Sequence, residues 1–138
     1  MEPVSRYFDQ KDWVKTTVGA GSITFADDGR SVICEAVDGD RATLQYFLVG
    51  WPGDSFEFSV IANNIDTGKT GYGEMFVDSP IGQRREEASL TTFEPENLTI
   101  RYDIPVAAKG PRVVAFGLGA STDIDGSAQY MLPRIKRM

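Results

Sequence analysis

Apolar residues in this chain recur at every second position over short stretches, and Gly, Asp, Asn and Pro break those stretches apart. Such a period belongs to strands and not to helices. The clearest stretch runs from 54 to 63, where Phe56, Phe58 and Val60 fall on one side and Glu57 and Ser59 on the other; this predicts a strand with one buried face. Leu98, Ile100, Tyr102 and Ile104 repeat the pattern against Thr99, Arg101 and Asp103, and Pro105 ends it because proline has no amide donor. Residues 113–118 are apolar at almost every position, as expected of a strand covered on both sides or central in its sheet. Weaker strands are read at 15–18, 22–26, 31–37, 42–49, 72–77, 88–92 and 128–136, giving about ten in all. Between them, Asp27-Asp28-Gly29, Asp38-Gly39-Asp40, Pro52-Gly53 and Asp125-Gly126 are residues that start turns or tolerate positive φ. No helix is read, and an antiparallel two-sheet sandwich or a barrel follows.

Length adds that one core is enough. At 138 residues a chain has the size of one domain, and no repeat, low-complexity block or linker divides it, so 1–138 is read as one unit with a lead-in segment at 1–14. Hydrophobic residues make up 41% and charged ones 25%, which excludes a disordered chain. The net charge of −6 argues against a phosphate-backbone partner, since affinity for nucleic acid comes from clustered Lys and Arg. The local clusters Arg84-Arg85 and Arg134, Lys136, Arg137 read as solvated faces. Cys34 is the one cysteine, so no internal disulfide forms, and its apolar neighbours predict a buried strand thiol. No stretch has the length of a signal peptide or of a membrane-crossing helix; no membrane insertion is expected, and export would depend on a longer parent chain.

Histidine is absent, which removes the Ser-His-Asp and Cys-His constellations. Glu35, Glu57, Glu74, Glu86 and Glu87 are carboxylates of the kind a glycosidase needs, but on alternating strands they are the solvent-facing half of the pattern and no pair is set apart; the chain reads as no enzyme. Asp123-Ile124-Asp125-Gly126 and Asp38-Gly39-Asp40 could offer oxygens to calcium, yet the spacing of a full binding loop is missing, so they read as turns and no cofactor is expected. The sequon Asn97-Leu98-Thr99 sits at a strand start.

The order of elements resembles the jelly-roll carbohydrate-binding modules found beside glycoside hydrolases and in bacteriophage tail fibres and tailspikes. Gln45, Phe47 and Val49 lead into Pro52-Gly53 and then Phe56, Phe58 and Ser59, read as a hairpin that pins sheet register. An alternating strand at 98–105 closing on proline, a valine-rich strand ending at Gly119, and Gly126 followed by Tyr130, Pro133 and Ile135 complete a likeness over residues 15–137. Two positions depart from it: Met131 or Leu132 stands where many such modules have an acidic residue in the last strand, and Pro95 or Glu96 where a tryptophan commonly precedes the alternating strand. The resemblance implies an all-β jelly roll, polysaccharide or oligosaccharide recognition, and a place in a virion tail or an extracellular protein.

Sugars stack their apolar C–H faces on aromatic rings beside planar polar groups. Trp51 lies in a turn, Tyr72 and Glu74 share one strand face, and Arg84 and Arg85 follow the loop at 79–83; these five are the candidate ligand-binding residues. The alternative for Trp51 and Tyr72 is that they cap the sandwich edge. Tyr7, Phe8 and Trp13 are expected to pack the lead-in onto the core or onto a neighbouring subunit. The rival to a receptor-binding module on a bacterial surface polysaccharide is a structural module of a homotrimer or larger assembly.

Overall fold

A computed structural model describes residues 8–37, 40, 42–65, 73–79, 84–90, 93–120 and 126–138. Ten strands follow one another: β1 (Val14–Thr17), β2 (Ser22–Phe25), β3 (Ser31–Ala36), β4 (Ala42–Gly50), β5 (Ser55–Asn64), β6 (Gly73–Ser79), β7 (Arg84–Ser89), β8 (Glu96–Asp103), β9 (Arg112–Ala120) and β10 (Gly126–Arg137). No helix occurs among the described residues. The strands make two antiparallel five-stranded sheets, ordered β1-β4-β9-β6-β7 and β2-β3-β10-β5-β8, packed face to face as the expected two-sheet jelly roll.

Alternation builds the core. Along β5 every second side chain is buried from Phe56 to Asn64, and Phe56, Phe58, Val60 and Ala62 meet Leu44, Met75, Val77, Val114, Phe116 and Leu118 of the other sheet. The apolar run at 113–118 occupies the centre of its sheet, and every residue from Val114 to Ala120 is buried. Cys34 faces this core, fully buried, and burial pushes its thiol up to about 12. Trp13 and Phe8 also join the core: the Trp13 ring stands 5.2 Å from Phe8 and 5.3 Å from Tyr46. Tyr7 lies outside the described residues.

The Pro52-Gly53 turn is not the hairpin expected of it. β4 and β5 belong to opposite sheets, so the turn carries the chain across the sandwich. Its chemistry fits that role: Asp54 N–H donates to Trp51 C=O at 2.9 Å and Gly53 has φ +85°, the hand of a type II turn with Pro52 leading, whereas tight hairpins prefer the mirror-image turns. Strand β7 differs as well. It starts at Arg84 and ends at Ser89, earlier than the 88–92 expected, because Arg84-Arg85-Glu86-Glu87 lacks apolar alternation and yet suits an edge strand, where charge discourages further pairing.

Pro133 sits inside the central strand of the second sheet, and a bulge accommodates it. Met131 pairs with Ile61 and Arg134 with Ser59, so β10 spends one extra residue there. Leu132 takes φ +49° and its N–H donates to Arg30 C=O at 3.1 Å. The extra residue shifts the alternation so that Tyr130 before it and Ile135 after it both face the core, which an unbroken strand could not do. Tyr130 then ties the sheets together: its buried hydroxyl lies against the backbone carbonyls of Gly119 and of Glu74, the latter at 2.9 Å. Burial, with Cys34 close by, raises this phenol well above the usual tyrosine range.

Candidate functional site

Strand register sorts the outward side chains of the first sheet into rows. Thr16, Thr43, Gly119 and Glu74 form one row; Val14, Gln45, Gly117, Phe76 and Glu87 the next; Phe47, Ala115 and Asp78 a third; Val49 and Val113 a fourth. On the central strand β9 these outward residues are Val113, Ala115, Gly117 and Gly119, smaller than most of their neighbours on β4 and β6, so the face dips along its midline. Phe76 fills the dip at one point. Its ring lies over Gly117, where a Cβ would stand 2.0 Å from the ring Cζ, and although Phe76 is outside the core it is only 5% exposed.

Past that ring the face turns apolar and open. Phe47, Val113, Val49 and Trp51 are between 44% and 55% exposed, and alternation from the inward Gly50 carries Trp51 to the outer side. A single exposed apolar residue needs no explanation; here Phe47, Val49 and Val113 share one exposed face that ends beside Trp51.

The turn that presents Trp51 is fixed from several sides. Trp51 N–H donates to Asp54 Oδ2 at 2.9 Å; the same oxygen accepts from Arg137 Nη1 at 2.5 Å. Arg137 Nη2 donates to Val49 C=O at 3.0 Å, and its guanidinium stacks 4.9 Å from the Phe56 ring centre. Gly53 N–H donates to Ile104 C=O at 3.0 Å and Ile104 N–H to Asp54 C=O at 2.8 Å. A turn held this way presents its aromatic ring already ordered. Asp54→Ala is therefore expected to lower stability by about 1–3 kcal/mol, since it strands a partly buried guanidinium and an amide. Asp54→Asn, which keeps an acceptor for Trp51 N–H, should lose less. Urea denaturation of the three proteins reads the difference.

Two of the five expected ligand residues, Trp51 and Glu74, stand far apart on the face. Glu74 pairs with Gly119, which also pairs with Thr43, so Glu74 lies eight residues of strand away from Trp51 (position 43 against 51), about 26 Å at the usual rise. Arg85 pairs with Asp78 and Arg84 with Ser79, which puts the backbone of both at the edge of the sheet, toward the half that carries Trp51. Tyr72 lies outside the described residues. Of the acidic turns, Asp38, Gly39 and residues 123–125 also lie outside; the Asp40 carboxylate accepts from Ala20 N–H at 2.8 Å and closes the β1–β2 turn. Among the described residues no group of three or more His, Cys, Asp or Glu could hold a metal ion.

Sequence reasoning missed Val113 as part of the surface, and Asp54 and Arg137 as its supports. The signal for Val113 was hidden: in a run apolar at nearly every position, nothing local says which side faces solvent.

No family model matches the chain, and no curated protein matches it. Solved structures do. The enzymatically active domain of tailspike protein 4 from Bacteriophage CBA120 superposes with TM-score 0.69 at 13% identity, over 96% of this chain and 20% of that one. A CBM4 structure superposes with TM-score 0.61 at 13% identity, covering 99% of this chain and 95% of the other. The CBM22-1 xylan-binding domain of Paenibacillus barcinonensis gives TM-score 0.61 at 12% identity, with 97% and 92% covered. The chain thus spans one fifth of the tailspike chain and nearly the whole of each carbohydrate-binding module, and at these identities the likeness is one of fold.

Proposed function

We propose that the chain is a non-catalytic carbohydrate-binding module whose ligand rests on the outer face of the β1-β4-β9-β6-β7 sheet, at the end marked by Trp51. The observation that carries this reading is a half-exposed tryptophan, locked in a pre-formed turn, at the end of an open apolar strip. Such a ring offers a stacking platform for the C–H face of a sugar; Asp78 and Gln45 stand two and three rows further in to meet hydroxyls. The fold shared with a xylan-binding domain supports the same reading. The finer reading is a receptor-binding part of a phage tail fibre or tailspike that recognises a bacterial surface polysaccharide, in keeping with the tailspike likeness.

Calorimetric titration with capsular and cell-wall polysaccharides tests it. Binding that Trp51→Ala weakens about tenfold or more, the scale of one lost aromatic stack, is the expected result; absence of heat at millimolar saccharide would remove the reading. The same apolar strip favours one rival, a contact between subunits of a trimer. Light scattering separates the two, because a stable trimer indifferent to sugars supports the rival.

A further inference from the structure

We infer that Arg137 is the positioning residue of the Trp51 platform: one guanidinium bridges the chain on both sides of the tryptophan and fixes the ring for its ligand. This rests on the carbohydrate reading and names a residue on which that same site depends. The end of β4 needs such a support. β1 pairs with β4 only from Ala42 to Gln45, so beyond Gln45 the strand has β9 on one side and, among the described residues, no strand on the other. Trp51 follows at its tip, outside every strand, and is more than half exposed.

Arg137 supplies the missing hold. Its Nη2 donates to the carbonyl of Val49, two residues before Trp51, at 3.0 Å. Its Nη1 donates to the carboxylate of Asp54, three residues after Trp51, and the oxygen it reaches also accepts the Trp51 N–H. The guanidinium is held in turn, stacked on the ring of the fully buried Phe56, which is also the residue that β10 register places opposite Arg137. The segment from 49 to 54 thus closes on a side chain of the other sheet. Arginine suits this because its planar fork aims several donors in fixed directions, whereas lysine carries a single ammonium on a flexible stem. A lysine there keeps the charge beside Asp54 but offers one nitrogen where the two bonds use two. A tryptophan released from such a hold has to be ordered again on binding, which weakens affinity roughly two- to tenfold for one side chain.

The test compares the full chain with Arg137→Lys and with Val60→Ala, which opens a cavity at a buried position of β5 and shows what lost stability alone does. NMR relaxation of the two labelled indole N–H groups, without ligand, reads the order of each tryptophan. In Arg137→Lys the Trp51 indole should become mobile while the buried Trp13 stays rigid, and calorimetric titration with the polysaccharide that binds the unaltered chain should find binding weaker by the same factor. Val60→Ala, although less stable in urea, should leave Trp51 order and affinity unchanged. A Trp51 indole as rigid in Arg137→Lys as in the unaltered chain would overturn the inference, with or without a saccharide, and so would equal loosening of Trp51 in Val60→Ala. Equal affinity of Arg137→Lys and the unaltered chain, with Trp51 still required for binding, would overturn it too and leave the carbohydrate reading standing. If no polysaccharide binds even the unaltered chain, the carbohydrate reading fails, and the part assigned to Arg137 in binding fails with it.

Discussion

Phe116→Ala is expected to destabilise the protein by about 3–5 kcal/mol, the usual effect of deleting a fully buried ring from a packed core. Phe116 is fully buried on β9. It meets two rings of the facing sheet edge-on: Phe56 at 5.5 Å and 70°, and Phe58 at 5.6 Å and 81°. Such pairs contribute about 0.5–1.5 kcal/mol each beyond the area they bury. Because β9 is the centre of its sheet, neighbours on both sides hold the backbone in place, and the cavity cannot collapse cheaply. A domain of this size has only about 5–15 kcal/mol in total, so the variant should sit near its unfolding limit. Phe116→Leu, which refills most of the volume, should lose only about 1–2 kcal/mol. Urea denaturation measures both, and a loss under about 1 kcal/mol for the alanine variant would mean that the ring does not bridge the sheets.

The second large effect is a loss of stability in alkali. Burial holds Cys34 neutral, with its pKa raised from 9.0 to about 12. The folded value lies above the unfolded one, so the neutral thiol's contribution is complete below pH 9 and disappears as pH rises from 9 toward 12. At about 1.36 kcal/mol per pH unit, that amounts to roughly 4 kcal/mol by pH 12. Tyr130 acts in the same sense from pH 10 upward, since its phenol is raised from 10.0 mainly by burial. Urea midpoints should therefore fall steeply above pH 9. Cys34→Ala starts from a lower stability but should show a flatter decline between pH 9 and 10, where Tyr130 does not yet contribute. Parallel declines for the two proteins would contradict the assignment to Cys34.

Much of this architecture was legible because strand alternation is a local signal. Phe56, Phe58 and Val60 announce their buried side whatever sheet they join, and the apolar run at 113–118 announces a central strand. Sheet membership is not local. Nothing in Trp51-Pro52-Gly53-Asp54 distinguishes a hairpin from a crossing between sheets, because that depends on β9 taking the place beside β4. The separation of Glu74 from Trp51 follows from the same long-range order, since each residue alone satisfied the pattern of an outward polar or aromatic side chain. The start of β7 at Arg84 was hidden because the four successive charges from Arg84 to Glu87 carry no apolar alternation, although a sheet edge tolerates them. Asp54 and Arg137 were unreadable as partners, being 83 positions apart. The exposure of Trp51 was legible because a tryptophan beside a Pro-Gly turn has few ways to be buried.

The chain's two tryptophans permit the most direct test of the proposed role. Trp13 is 3% exposed and Trp51 is 55% exposed, so acrylamide quenching reports almost entirely on Trp51. Emission and quenching should be followed during titration with a panel of bacterial capsular and cell-wall polysaccharides. At least one should shift the emission and shield Trp51 from acrylamide, and the response should vanish in Trp51→Ala while Trp13 stays silent. A polysaccharide that binds with Trp51 fully quenchable throughout would contradict the proposed role.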